Sequence, residues 1–121
     1  MKYFRLTATE DGKSRMEEVE AHVAPADFIP DQPSLDLSHP MDAKSVTFIR
    51  TPAGWNGGWH PTPRRQFVIG MQGVLKFRTT DGCICTVHPG TIVLLEDTIG
   101  EGHHTQVMDK MDWWGILLGL E

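Results

Sequence analysis

The segment Gly54 to Gly73, GWNGGWHPTPRRQFVIGMQG, gathers His60, the adjacent arginines Arg64 and Arg65, and Gln66 just ahead of an apolar run. In an extended chain the side chains at 60, 62, 64 and 66 share one face, because a strand repeats every two residues. His60, Thr62, Arg64 and Gln66 then form a polar line into whatever the strand covers. An imidazole is a good ligand for a divalent transition metal, and an inward guanidinium clamps a carboxylate or phosphate. Gln66 is uncharged at every pH, so it is a poor acid or base, an able hydrogen-bonding group and a weak metal ligand. A tight metal site takes about three or four ligands, so His60 needs partners from another part of the chain. The segment EDTIGEGHH, 96–104, offers His103 and His104, with Glu96 and Glu101 as carboxylates. Adjacent strand residues face opposite sides, so only one of the two histidines enters the interior. Gly100 and Gly102 would let the chain bend to deliver His103, leaving His104 to solvent or a partner chain. The plain structural alternative is that His60 only satisfies Gln66 or a backbone carbonyl, and that an arginine only pairs with Glu96 or Asp97.

The elements that must position these groups are strands. Glycine occurs 12 times and proline 8 times, and no long stretch carries a helical period. Tyr3–Thr7 alternates and ends at the turn-forming EDGKS, and Met16–Val23 reads as a strand despite its helical propensity. PADFIPDQPSLDLSHP, 25–40, predicts an extended surface connection with at most one short helical turn. Further strands are expected at 45–50, 66–69, 74–79, 83–87, 91–95 and 113–120, with loops at 51–58 and 96–104. Asp81-Gly82 is the strongest hairpin signal, and His88-Pro89-Gly90 marks another turn. Trp55, Trp59, Trp113 and Trp114 are expected in core or interface, with Trp59 able to roof a cavity beside His60. Many short strands separated by turn residues point to a β-sandwich or barrel.

Composition narrows the function. The 121 residues suit one domain, with strands and a proline-rich connection over 1–44 and the barrel core over 45–121. A formal net charge of −5 argues against nucleic acid and anionic membranes as partners. The opening MKYFRLTATEDG lacks a signal-peptide core and no run approaches a membrane span, so the cytoplasm is the expected location. Cys83 and Cys85, spaced to share one side of a strand, are expected to stay reduced and to pack as small apolar groups.

The spacing around His60 resembles the first motif of the cupin superfamily of small jelly-roll barrels. Gly54, five residues, His60-Pro61-Thr62, three residues, Gln66, six residues and Gly73 keep its intervals. Thr62 stands where that motif has a second histidine, and Gln66 where it has glutamate. Gly90 and EDTIGEGHH match the second motif more loosely, with His103 at its histidine position and His104 one residue out of register. WHPTPRRQ, HPGTIVLLEDTIGEGH and YFRLTATEDGKS resemble small single-domain bacterial cupin-like proteins of unassigned activity. The resemblance implies an all-β, cupin-type jelly-roll β-barrel or sandwich that forms a homodimer. Its site would be built from His60, Thr62, Arg64, Gln66 and His103. The expected function is binding of a small polar or anionic organic molecule. His60, Gln66 and His103 could hold one divalent metal weakly (Zn, Fe, Mn or Ni), completed by water, Glu96 or Glu101. The alternative is a metal-dependent enzyme of dioxygenase or isomerase type on the same three residues. A third reading makes the barrel an assembly unit with a vestigial, side-chain-filled interior.

Overall fold

A computed structural model describes residues 1–108 and 110–121. The described residues contain no helix, and none of them forms a helix long and apolar enough to cross a membrane. Two sheets build the body. In the larger, β2 (Ser14–Glu20), β1 (Lys2–Ala8), β10 (Ile92–Leu95), β7 (Gln66–Gln72), β12 (Trp113–Gly119) and β5 (Ser45–Thr51) lie side by side in that order. β1 and β10 run parallel, and the other neighbours are antiparallel. The smaller sheet has the order β6 (Asn56–His60), β11 (His103–Val107), β8 (Leu75–Arg78) and β9 (Ile84–Val87). A separate ribbon pairs β3 (Ala24–Ala26) with β4 (Leu35–Leu37). The body is a cupin-type jelly-roll barrel, as the motif spacing implies.

The period-two pattern decides what each sheet buries. Leu6, Val68, Val93, Leu95 and Trp113 from the larger sheet meet Leu75, Phe77, Cys85, Val87 and Val107 from the smaller one in a single core. Each fully buried aliphatic or aromatic side chain contributes roughly 1.5–3 kcal/mol over its exposed state. Leu6 is wholly buried, and β1 sits inside the sheet between β2 and β10. The barrel core therefore begins with the first strand and not at residue 45, because β1 finds a parallel neighbour far along the chain (Phe4 opposite Val93) that local patterning does not reveal.

Turn chemistry recurs. In Thr9–Lys13 and Thr79–Cys83 the threonine N–H donates to the carbonyl four residues on, and the glycine N–H donates to the threonine carbonyl. Each threonine hydroxyl also donates to the aspartate side chain two residues on. Only the glycine takes a positive φ, +80° at Gly12 and +86° at Gly82, so Asp81 needs no left-handed conformation. Cys83 lies in this turn, exposed, and Cys85 is buried on β9. The two thiols are free but do not share an environment, since the strand starts only at Ile84. Burial pushes the Cys85 thiol up to about 12.

Three expectations about elements change. The loop expected over 51–58 gives way at Asn56 to a strand, Asn56–His60, despite its two glycines, and the loop expected over 96–104 ends at His103, where the strand His103–Val107 begins. The proline-rich connection carries β3 and β4 and no helical turn. Residues 61–65 belong to no strand, because Pro61 and Pro63 lack the N–H that a ladder requires.

Candidate functional site

The two histidine-bearing strands are neighbours, with His103 paired directly to His60 across the β11–β6 ladder. The register slips between His103 and Thr105, a bulge that helps turn the His103 side chain inward. Gly102 makes this approach possible. Its φ is +72°, and a Cβ there would lie 2.0 Å from the His60 carbonyl oxygen. The Ser14 hydroxyl fixes the same peptide by donating to the Gly102 carbonyl at 2.6 Å. The His60 and His103 rings end with centroids 4.9 Å apart, and the Phe77 ring stands edge-on to His103 at 5.0 Å.

Both imidazoles are held from behind. His60 Nδ1 lies 2.8 Å from the Gly58 carbonyl, and His103 Nδ1 lies 2.6 Å from Asp97 Oδ2. A carbonyl or carboxylate accepts, so each ring carries its proton on Nδ1 and leaves Nε2 to act on a ligand. Among the described residues neither Nε2 has a hydrogen-bond partner. Asp97 is completely buried, and its Oδ1 has no partner either. Its backbone carbonyl accepts from the Thr62 N–H at 3.0 Å. The Thr62 hydroxyl donates to the Arg64 carbonyl and accepts from Gln66 Nε2 at 3.3 Å. Gln66, Thr62, Asp97, His103 and His60 thus form one linked polar cluster.

This cluster faces a cavity of about 370 Å³ that is otherwise mostly apolar. Val68, Leu75, Phe77, Leu95, Trp113 and Leu117 wall it, and Arg50, Pro52, Trp55 and Pro63 line its exposed side. The interior is therefore not filled by its own side chains, against the assembly-unit reading. His60, Thr62, Gln66 and His103 line this space. Arg64 does not: it is exposed and absent from the lining, because the chain at 61–65 is not a strand and its side chains do not alternate. The cation at the cavity is Arg50, whose Nη1 lies 3.5 Å from Asp112 Oδ2. His104 faces away and lies against Trp59 with ring centroids 5.9 Å apart. Trp59 thus packs on His104 and does not roof the cavity. Burial holds the His104 imidazole below the usual range, helped by Arg78 and Lys76.

The carboxylates expected to complete a metal shell are committed elsewhere. Glu96 receives hydrogen bonds from Arg5 and Arg65, and Glu101 pairs with Lys13. Burial alone would raise the Glu96 carboxyl, but the two guanidinium groups outweigh it and hold it below the usual range. Among the described residues no three His, Cys, Asp or Glu side chains converge as metal ligands. The donor set at the cavity is two imidazoles, a neutral amide and a hydroxyl, which falls short of a transition-metal first shell.

Asp97 is the functional candidate that sequence reasoning missed. As an acid next to a glutamate in a polar loop, it reads as a surface ion-pair partner. Its role appears only once β11 returns beside β6.

No protein-family model matches the chain, and no curated protein matches it. Solved structures do. The capsular polysaccharide assembling protein CapF of Staphylococcus aureus superposes with a TM-score of 0.50 at 18% identity, covering 84% of this chain and 30% of CapF. A cupin domain from Bordetella pertussis gives a TM-score of 0.47 at 17% identity, covering 82% of this chain and 93% of that domain. A protein of Neisseria meningitidis gives 0.49 at 14% identity, covering 63% of this chain and 72% of its own. At these identities the likeness is one of fold. The chain is a small cupin-type barrel with an imidazole-lined cavity.

Proposed function

We propose that this protein binds a small organic molecule with an apolar body and one polar or anionic end inside the barrel. The observation that carries this reading is the cavity itself: about 370 Å³ of largely apolar space with His60 and His103 side by side at its polar wall. That volume falls in the range of small-molecule sites, and a few convergent polar groups in an apolar cleft are their usual composition. A hydroxyl or other O–H or N–H group of the ligand would donate to the Nε2 lone pairs, and an anionic oxygen would accept from Gln66 Nε2 or from a ring that carries a proton on Nε2 as well. The ligand's body would lie against Phe77, Trp113 and Leu117, and Arg50 would favour negative charge near the mouth. Thermal-shift screening followed by calorimetry tests it. Small aromatic and aliphatic carboxylates should bind with one site per chain. Loss of roughly tenfold in affinity, about 1.4 kcal/mol, is expected in each of His103→Ala and Gln66→Ala. Binding that ignores both substitutions would contradict the reading.

The second reading, a metal-dependent enzyme of dioxygenase or isomerase type using His60, Gln66 and His103, is favoured by one feature. Asp97 grips Nδ1 of His103 as carboxylates commonly grip metal-ligating imidazoles. The short donor set weighs against it. Elemental analysis of untagged protein purified without chelator separates the two readings: a stoichiometric ion lost in His103→Ala but kept in His104→Ala would favour the metal site.

A further inference from the structure

The polar wall of the cavity has a sense: it offers lone pairs and few protons. His60 Nδ1 faces the Gly58 carbonyl at 2.8 Å, and His103 Nδ1 faces Asp97 Oδ2 at 2.6 Å. Both partners only accept, so each Nδ1 holds its ring's proton and each Nε2 presents a lone pair. His60 and His103 sit directly opposite each other on paired strands, with ring centroids 4.9 Å apart, so the two acceptors are neighbours. The remaining polar groups do not restore the balance. The Thr62 hydroxyl gives its one proton to the Arg64 carbonyl and takes one from Gln66 Nε2. Gln66 keeps one N–H beside its own carbonyl oxygen, and the Thr105 hydroxyl serves in either sense.

Charge points the same way. The Asp97 carboxylate lies directly behind His103, wholly buried, with no hydrogen-bond partner on Oδ1. A ligand carboxylate brought to the two Nε2 atoms would meet lone pairs with this buried carboxylate behind one of them. A hydroxyl there would meet an acceptor. An ammonium also donates, but the lining holds no carboxylate side chain, and burying an unpaired cation against Val68, Leu75, Phe77 and Leu95 costs far more than burying a bonded hydroxyl.

We propose, resting on the reading that the barrel binds a small molecule, that its preferred ligand carries two adjacent hydroxyls on an apolar body, as a vicinal diol or catechol does. Each O–H donates to one of the two Nε2 atoms, and plain carboxylates bind more weakly at the same place. Asp97 is the positioning residue for this choice: it touches His103 and does not line the cavity. An asparagine there can donate its amide N–H to Nδ1, which puts the ring proton on Nε2 and turns one acceptor of the pair into a donor.

An isosteric series tests this on the full-length protein under nitrogen. Catechol, 2-methylphenol and o-xylene keep one shape, lose one hydroxyl at each step and grow more apolar, so size and apolarity cannot produce the expected order. Calorimetry should show affinity falling roughly tenfold for each hydroxyl lost, with benzoate weaker than catechol by at least that factor. Nitrogen NMR of the imidazoles at about pH 8 should show Nδ1 protonated and Nε2 bare in both His60 and His103. In Asp97→Asn the His103 proton should move to Nε2, and the ratio of catechol to benzoate affinity should fall roughly tenfold. A proton on either Nε2 in wild type overturns the acceptor wall. o-Xylene, benzoate or benzylamine binding as tightly as catechol overturns the ligand class. A His103 proton that stays on Nδ1 in Asp97→Asn, or moves without changing the ratio, overturns the role of Asp97. Should that variant fail to fold, the His103 Nδ1 proton of wild type decides: a far-downfield resonance protected from exchange supports the grip of Asp97, and a rapidly exchanging one overturns it. The methyl signals of Val68, Leu75, Leu95 and Leu117 separate this inference from the reading it rests on. Silent with every probe, they end both; moved alike by catechol, o-xylene and benzoate at equal affinity, they end only this one.

Discussion

Gly102 carries the backbone of β11 so close to His60 that a single methyl at 102 would lie 2.0 Å from the His60 carbonyl oxygen. That approach sets His103 against His60, so the two imidazoles depend on one absent side chain. Gly102→Ala combines this clash with a positive φ, and it should destabilise the fold by about 3 kcal/mol or more or prevent folding. Gly58→Ala, in the same strand pair but with open space around the new Cβ and no positive φ, should shift the melting temperature little. Similar losses in the two variants would show that the 102–60 approach is not what limits stability.

Gly82 isolates the backbone effect. Nothing lies within 4 Å of a Cβ built there, so only its φ of +86° resists substitution. Gly82→Val should cost about 1 kcal/mol or more, because a β-branched residue disfavours the left-handed region. Urea denaturation provides the measurement, and an unchanged midpoint would mean that the turn relaxes to another type at no cost.

Much of this architecture is legible in sequence wherever turn chemistry brackets an alternating run. Asp81-Gly82 and His88-Pro89-Gly90 mark the strands around them, and the resemblance of Gly54 to Gly73 to the first cupin motif implies the barrel. The failures have physical causes. Asn56–His60 hides behind two glycines, which read as loop. His103–Val107 carries mostly polar residues, and its one signal is the alternation of His103, Thr105 and Val107, all buried. A strand period puts Arg64 on the face of His60, but Pro61 and Pro63 interrupt that period. Asp97 could not be found locally, since its pairing with His103 depends on a glycine bend and a bulge several residues away.

Glu96 should leave a signature in acid stability. Its folded-state pKa is lowered, so the stabilisation it supplies is complete above its unfolded value of about 4.3 and is lost as pH falls through the lower folded value. Arg5 and Arg65 are partly exposed, at 42% and 41%, so solvent screening limits the effect to about 1 kcal/mol. Glu96→Gln should be less stable than wild type at pH 7, and the gap should close on acidification below about pH 4. A gap that is constant across that range would assign the loss to packing instead of charge.

The most direct measurement of the central claim is a methyl and imidazole NMR titration with a panel of small carboxylates. The carbon–proton signals of Val68, Leu75, Leu95 and Leu117 should move together with those of His60 and His103, saturating with one site per chain. His104, on the opposite side of β11, should stay unmoved in the same titration. Shifts confined to His104, Trp59 and other exposed residues, with the cavity methyls silent throughout the panel, would contradict ligand binding inside the barrel.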